Sequence, residues 1–191
     1  MNKSKSSNKR VKKAITADRA SPAAIELLIL DVDGVLTDGR LYYGPRGEAL
    51  KVFDVKDGYG IRRLLDVGVH VAIISGRDSP HVRQRARDLG IRHVYQGISE
   101  KLPVFEKLSQ RLGLTPSQCA IVGDDRPDVP VMRAVGLAFA PFDAHPAALK
   151  AADMVTPNVG GRGAVRSVCD LLVASRQHAS RQFAPKRKAR S

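Results

Sequence analysis

Short unbroken apolar runs alternate along this chain with stretches whose apolar residues recur every three or four positions. Residues 26–30, Glu-Leu-Leu-Ile-Leu, read as a buried strand running straight into the sequence DVDGVLTDG at 31–39. Segments 40–43 and 49–53 flank Gly44-Pro45-Arg46-Gly47, a hairpin signal with its turn marked by Gly and Pro. From Gly60 the period is helical, with Ile61, Leu64 and Leu65 on one face and Gly68 near the stop. A second apolar strand at 69–74 precedes a helix that runs to about Asp88 and stops at Gly90. A short strand at 91–95 then leads to a helix over 100–112 with Val104, Phe105 and Leu108 on its apolar stripe. Further strands are predicted at 119–122, 137–140 and 154–155, and a last helix carries Val165, Val168, Leu171 and Leu172. Apolar strands separated by amphipathic helices predict a largely parallel sheet covered on both faces, a three-layer Rossmann-like α/β fold.

Length and composition leave that picture standing. A chain of 191 residues with 43% hydrophobic and 27% charged residues suits one domain with a real core. No apolar run approaches the roughly 20 residues that cross a bilayer, so a soluble intracellular protein is the expectation. Cys119 and Cys169 lie among apolar residues and are expected as buried free thiols. The five histidines form no ligand-like cluster, which argues against zinc.

The net charge of +13 belongs to the ends. Residues 1–24 hold seven Lys/Arg against one acidic residue and residues 176–191 six against none, whereas 25–175 hold 19 against 18. Both ends lack apolar periodicity and are expected to be solvated basic extensions, around a central domain at 25–175. Salt-dependent contact of these tails with nucleic acid or an anionic surface is the alternative, although no nucleic-acid-binding module is legible.

Candidate chemistry gathers at the predicted carboxyl ends of strands, where open parallel sheets bind ligands. The turn after the first strand lacks the GxGxxG of dinucleotide sites and carries Asp31 and Asp33 instead. Ser75-Gly76-Arg77 follows the second strand, and Gly123-Asp124-Asp125 follows that at 119–122. One carboxylate of the first pair could attack phosphorus while the other protonates the departing oxygen and later activates water. Carboxylates facing a phosphate need a cation between them. Mg²⁺ suits oxygen ligands, with Asp31 and Asp124 the best direct side-chain ligands and Asp125 or Asp128 supporting them. Ser75 could donate to a phosphoryl group, and Arg77 could reach a phosphate or carboxylate. Lys101 could neutralise phosphoryl charge. Singly, each has an ordinary reading: a turn or helix cap for an Asp, a helix-entry Ser, a solvated Arg or Lys. Asp128 also suits the first turn of a helix opened by Pro127. Arg162, in Gly160-Gly161-Arg162-Gly163, either sits in a flexible helix entry or approaches a substrate carboxylate.

DVDGVLTDG, SGR, Lys101 and GDDRPDVPVM, in that order, resemble the four motifs of haloacid dehalogenase-like phosphatases. With DGRLYY, FDVKDGYGIRRL, YQGISEK and GGRGAVR, residues 25–175 resemble the 3-deoxy-D-manno-octulosonate 8-phosphate phosphatases of that group. The resemblance implies Asp31 as nucleophile and Asp33 as general acid/base. It implies Mg²⁺ held by Asp31, the backbone carbonyl of Asp33 and Asp124, phosphate bound by Ser75 and Lys101, and the sugar acid met by Arg77. It also implies a homotetramer, a cytoplasmic setting and a step towards lipopolysaccharide. Too few positions separate Asp33, Ser75 and Lys101 for a large cap domain, so a neighbouring subunit is expected to cover the site through the hairpin at 40–53. Side chains that merely cover their own sheet edge are the alternative for Leu41, Tyr42 and Tyr43. Two other functions stay open: a phosphatase for nine-carbon sialic-acid-type 9-phosphates, and a noncatalytic regulatory or nucleic-acid-associated protein using its tails.

Overall fold

In the computed structural model, residues 20–182 are described. The expectations for residues 1–19 and 183–191 therefore lie outside the described part. Six strands, β1 (Leu27–Leu30), β4 (His70–Ile74), β5 (His93–Tyr95), β6 (Cys119–Val122), β7 (Leu137–Ala140) and β8 (Met154–Val155), form a sheet in the order β5-β4-β1-β6-β7-β8. Every neighbouring pair is parallel. A separate antiparallel hairpin pairs β2 (Tyr42–Gly44) with β3 (Gly47–Leu50).

Strand β1 is central and fully buried, and alternation of its side chains divides the core in two. Leu28 and Leu30 face a layer made of α1 (Val55–Asp66), α2 (Pro80–Leu89) and α6 (Ala164–Gln182), with Ile61, Leu64, Val82, Val165, Val168 and Leu172 packed there. Leu27 and Ile29 face α3 (Lys101–Leu112), α4 (Val129–Ala134) and α5 (Pro146–Ala151), where Phe105, Leu108, Val131 and Met132 complete the second core. Cys119 and Cys169 are free, buried and on opposite sides of the sheet. Burial pushes both thiols up, that of Cys119 to about 11.

Three boundaries differ from expectation. Helix α1 starts at Val55, not Gly60, because the Asp54 side chain accepts from Lys56 N at 2.7 Å. Gly58 and Gly60 obscure this in the sequence, yet both are packing sites. A β-carbon on Gly58 would meet Arg85 Nη2 at 2.3 Å, and one on Gly60 would meet Cys169 Cβ at 3.1 Å. At the other end, 176–182 continue α6 rather than beginning a tail. Arg176 ties the helix down, donating to Val67 O at 3.2 Å and Ile25 O at 3.3 Å and pairing with Glu26. On the amino-terminal side, Ala20 N already donates to Gly136 O at 3.3 Å, five residues before the expected start of the domain.

Candidate active site

Asp31 stands directly after β1, and its own amide donates to Val122 O of the neighbouring β6 at 3.1 Å. The chain then wraps round one carbonyl: the amides of Val35, Leu36 and Thr37 all donate to Val32 O. Gly34 makes the turn at φ +93° and cannot be replaced in kind, since a β-carbon there would lie 2.1 Å from Asp124 Oδ2. Asp31, Asp33, Ser75, Arg77, Lys101, Asp124, Asp125 and Asp128, from four strand ends and their following turns, line one cavity of about 290 Å³.

Lys101 opens α3, where the helix dipole disfavours a cation. It is nevertheless buried, with Nζ 2.8 Å from Asp31 Oδ1 and 2.7 Å from Asp128 Oδ1. Burial lowers its proton affinity, but the Asp31 and Asp128 carboxylates outweigh this and hold its pKa above the ordinary value. Asp128 is more central than a helix-opening acid. Its Oδ2 accepts from the amides of Asp124 (3.1 Å) and Asp125 (3.3 Å), and Gly123 leaves room for it, since a β-carbon there would approach Asp128 Cβ to 2.5 Å. The Asp125 carboxylate faces largely outward and accepts from Arg126 N at 2.7 Å.

Carboxylate oxygens of Asp31, Asp124 and Asp128 lie within 4.8 Å of one another. Burial, then the Asp128 charge, pushes the Asp31 carboxyl above its ordinary range against the opposing pull of Lys101. Burial, Asp31 and Asp128 push Asp124 the same way. Asp124 Oδ1 is buried without a hydrogen-bond partner. An orphaned buried oxygen in an all-oxygen donor set fits a hard divalent cation such as Mg²⁺.

Asp33 faces a different set. Its carboxylate pairs with Lys51 of the hairpin and lies 3.6 Å from Arg77 Nε. The Lys51 side chain is 1% exposed and also meets Glu48 Oε1 at 2.9 Å, while Arg77 Nη2 lies 4.0 Å from Glu48 Oε2. Burial would raise the Glu48 carboxyl, but Lys51 and Arg77 hold it below its ordinary range. A hydrogen bond that Arg77 donates to the Tyr43 hydroxyl is the first cause that raises Arg77 above its usual value. Sequence reasoning missed Lys51 and Glu48. Only their place on a hairpin beside the acidic turn pointed to them.

Ser75 is buried beside these groups, and its Oγ accepts from Arg77 N at 3.4 Å. Arg162 is exposed and is not among the cavity-lining residues. The loop around it is close by: Gly161 N donates to Val35 O at 2.9 Å, and a β-carbon on Gly160 would fall 1.8 Å from Gly34 O. Leu41, Tyr42, Tyr43, Leu50, Val52, Val55 and Tyr59 are exposed along the hairpin and the start of α1.

A family model described as haloacid dehalogenase-like hydrolase matches residues 48–136. The chain is 54% identical over 160 residues to 3-deoxy-D-manno-octulosonate 8-phosphate phosphatase KdsC of Escherichia coli K12, covering 83% of this chain and 85% of that one. A crystal structure of the phosphatase of that name from Yersinia pestis superposes with a TM-score of 0.80 at 50% identity, covering 83% and 86% of the two chains. The Moraxella catarrhalis phosphatase of that name, solved with magnesium ion, phosphate ion and a KDO molecule, gives a TM-score of 0.80 at 37% identity, covering 85% and 94%.

Proposed function

We propose that this chain, which belongs to the 3-deoxy-D-manno-octulosonate 8-phosphate phosphatases of the haloacid dehalogenase-like hydrolases, hydrolyses that ester to 3-deoxy-D-manno-octulosonate and inorganic phosphate on the way to lipopolysaccharide. The observation that carries this reading is the buried Asp31, fixed at the end of β1 with Lys101 at 2.8 Å and the orphaned Asp124 oxygen in the same cavity.

Asp31 is the nucleophile. Its carboxylate forms a bond to phosphorus as the bond from phosphorus to the sugar oxygen breaks, which leaves an aspartyl phosphate. Asp33 protonates the departing sugar oxygen and then takes a proton from the water that attacks phosphorus, so that Asp31 is released and phosphate forms. Lys51 and Arg77 hold the Asp33 carboxylate. Lys101 offsets the charge that Asp31 and the phosphoryl oxygens bring together, and Ser75 donates to one of those oxygens. Arg77 meets the carboxylate end of the sugar acid. Asp31, Asp124 and the backbone carbonyl of Asp33 would hold Mg²⁺, with Asp128 and Asp125 behind them. Bound there, the ion relieves the repulsion between phosphate and carboxylates.

In this reading the chain works in the cytoplasm as a homotetramer in which a neighbouring subunit closes the cavity, and the apolar residues exposed along the hairpin support such a contact. Sedimentation across the assay concentrations checks this, since a fully active monomer would remove it. Arg162 takes no part in this reading. The reaction itself is tested by phosphate release from the eight-carbon ester and from a nine-carbon sugar acid 9-phosphate, each with Mg²⁺ and with a chelator. Turnover confined to the eight-carbon ester with Mg²⁺ is expected. Equal turnover of both contradicts the assigned specificity.

A further inference from the structure

The acidic turn is held in place by a residue that touches no part of the cavity. Asp57, in the first turn of α1, is 1% exposed, and its carboxylate reaches neither solvent nor a cation of its own helix. It crosses instead to α6: Oδ1 accepts from Arg166 N at 2.7 Å and Oδ2 from Gly163 N at 3.3 Å. These are amides at the start of that helix, where Gly163 stands in the place of a capping side chain and offers none. The cap of α6 is thus supplied from 106 residues away.

What the cap fixes is the loop before it. Gly160 and Gly161 lie flat against the acidic turn, with no room for a β-carbon against Gly34 O or against Thr37 C at 2.4 Å. The loop is bonded there through Gly161 N to Val35 O at 2.9 Å. On its outer side Gly160 N donates to Asp143 Oδ1 at 2.9 Å. The turn held from above carries Asp33 and, through Gly34, abuts Asp124. Six residues before Asp57 in the chain, Lys51 holds the Asp33 carboxylate from the hairpin side. Helices α1 and α6 pack through Gly60, where a β-carbon would lie 3.2 Å from Arg166 Cα, and Arg166 lies over the Tyr59 ring at 4.9 Å. The two segments that enclose the acidic turn therefore grow from one packed pair of helices.

We propose that Asp57 is a positioning residue for the phosphatase reaction: by capping α6 it presses the Gly160-Gly161 loop onto residues 34–37 and so fixes Asp33 and Asp124 relative to Asp31. This rests on the function assigned above, and its test includes a readout independent of turnover. Hydrogen exchange in the unmodified protein comes first. The amides of Gly161, Gly163 and Arg166 should exchange with one common opening rate, as members of one cooperative unit. Separate rates overturn the proposal, whatever the substrate proves to be. In Asp57→Asn, which keeps one acceptor but turns an NH₂ towards an N–H, exchange should accelerate at 160–166 and equally at 34–37. With the eight-carbon ester, kcat should fall about tenfold or more while KM changes by less than about twofold, as expected for misplaced reacting groups rather than lost binding. Faster exchange at 160–166 with 34–37 unchanged, or a lower melting temperature with kcat intact, would reduce Asp57 to a structural cap and overturn the inference.

Discussion

Lys101 Nζ and Asp128 Oδ1 face each other at 2.7 Å with both side chains almost wholly out of solvent, and the other oxygen of Asp128 accepts the amides that present Asp124 and Asp125. One carboxylate thus orients a cation on one side and the loop that carries Asp124 on the other. Removing it leaves Lys101 with Asp31 as its remaining carboxylate and takes that acceptor from the two amides.

Asp128→Ala should therefore cost stability on the order of 2 kcal/mol and abolish turnover, because buried Lys101 loses one of its two carboxylates and two amides lose their acceptor. Asp128→Asn, which retains an acceptor, should unfold at higher denaturant than the Ala variant yet stay impaired in kcat. Urea titrations beside phosphate-release assays check both statements.

Gly34→Ala tests the closeness of the acidic turn to Asp124. The added methyl would overlap Oδ2 of Asp124 and also demand φ +93° of a residue with a β-carbon. Backbone strain of about 1–3 kcal/mol should accompany a loss of Mg²⁺ affinity, read by calorimetric titration. Unchanged affinity would mean that Asp124 has another route to the ion.

Without metal, Asp31 and Asp124 hold their protons more tightly in the folded chain than the ordinary value of 3.8 allows. Folded protein then carries more protons than unfolded protein as pH rises above that value, so stability falls with rising pH until both groups are ionised. A divalent ion reverses the trend by binding the ionised form. Melting curves should show Mg²⁺ raising the transition more at pH 8 than at pH 5, with about 2.7 kcal/mol gained at a hundredfold excess over Kd. An equal shift at both pH values would contradict the account.

Lys51→Met removes the cation between Asp33 and Glu48. The two acids are then left facing each other beside Arg77, and kcat/KM should fall about a hundredfold, a value within the range for a misplaced general acid/base. Circular dichroism should remain that of the unmodified protein, since the hairpin lies outside the main sheet.

Much of this was legible beforehand because the parallel sheet writes itself as apolar runs, each ending where a ligand-facing group begins. Asp31, Ser75 and Asp124 were found by that rule, and the helix stop at Gly90 is a left-handed cap. The start of α1 was hidden because Gly58 and Gly60, which lower helix propensity, are there to admit Arg85 and Arg166. The short Pro- and Ala-bearing helices α4 and α5 have too few turns to display a period. Lys51, Glu48 and Asp57 escaped for another reason: each acts on a residue distant in sequence, and no local pattern encodes such a meeting. The central place of Asp128 was undervalued because its helix-opening position already explained an acid there.

The central claim is that Asp31 carries the phosphoryl group. Enzyme mixed with 3-deoxy-D-manno-octulosonate 8-phosphate and Mg²⁺, quenched in acid within one turnover and reduced with borohydride, should yield homoserine at position 31 by peptide mass spectrometry, and none in a sample quenched without substrate. Homoserine at another aspartate, or phosphate release at undiminished rate by Asp31→Asn, would contradict it.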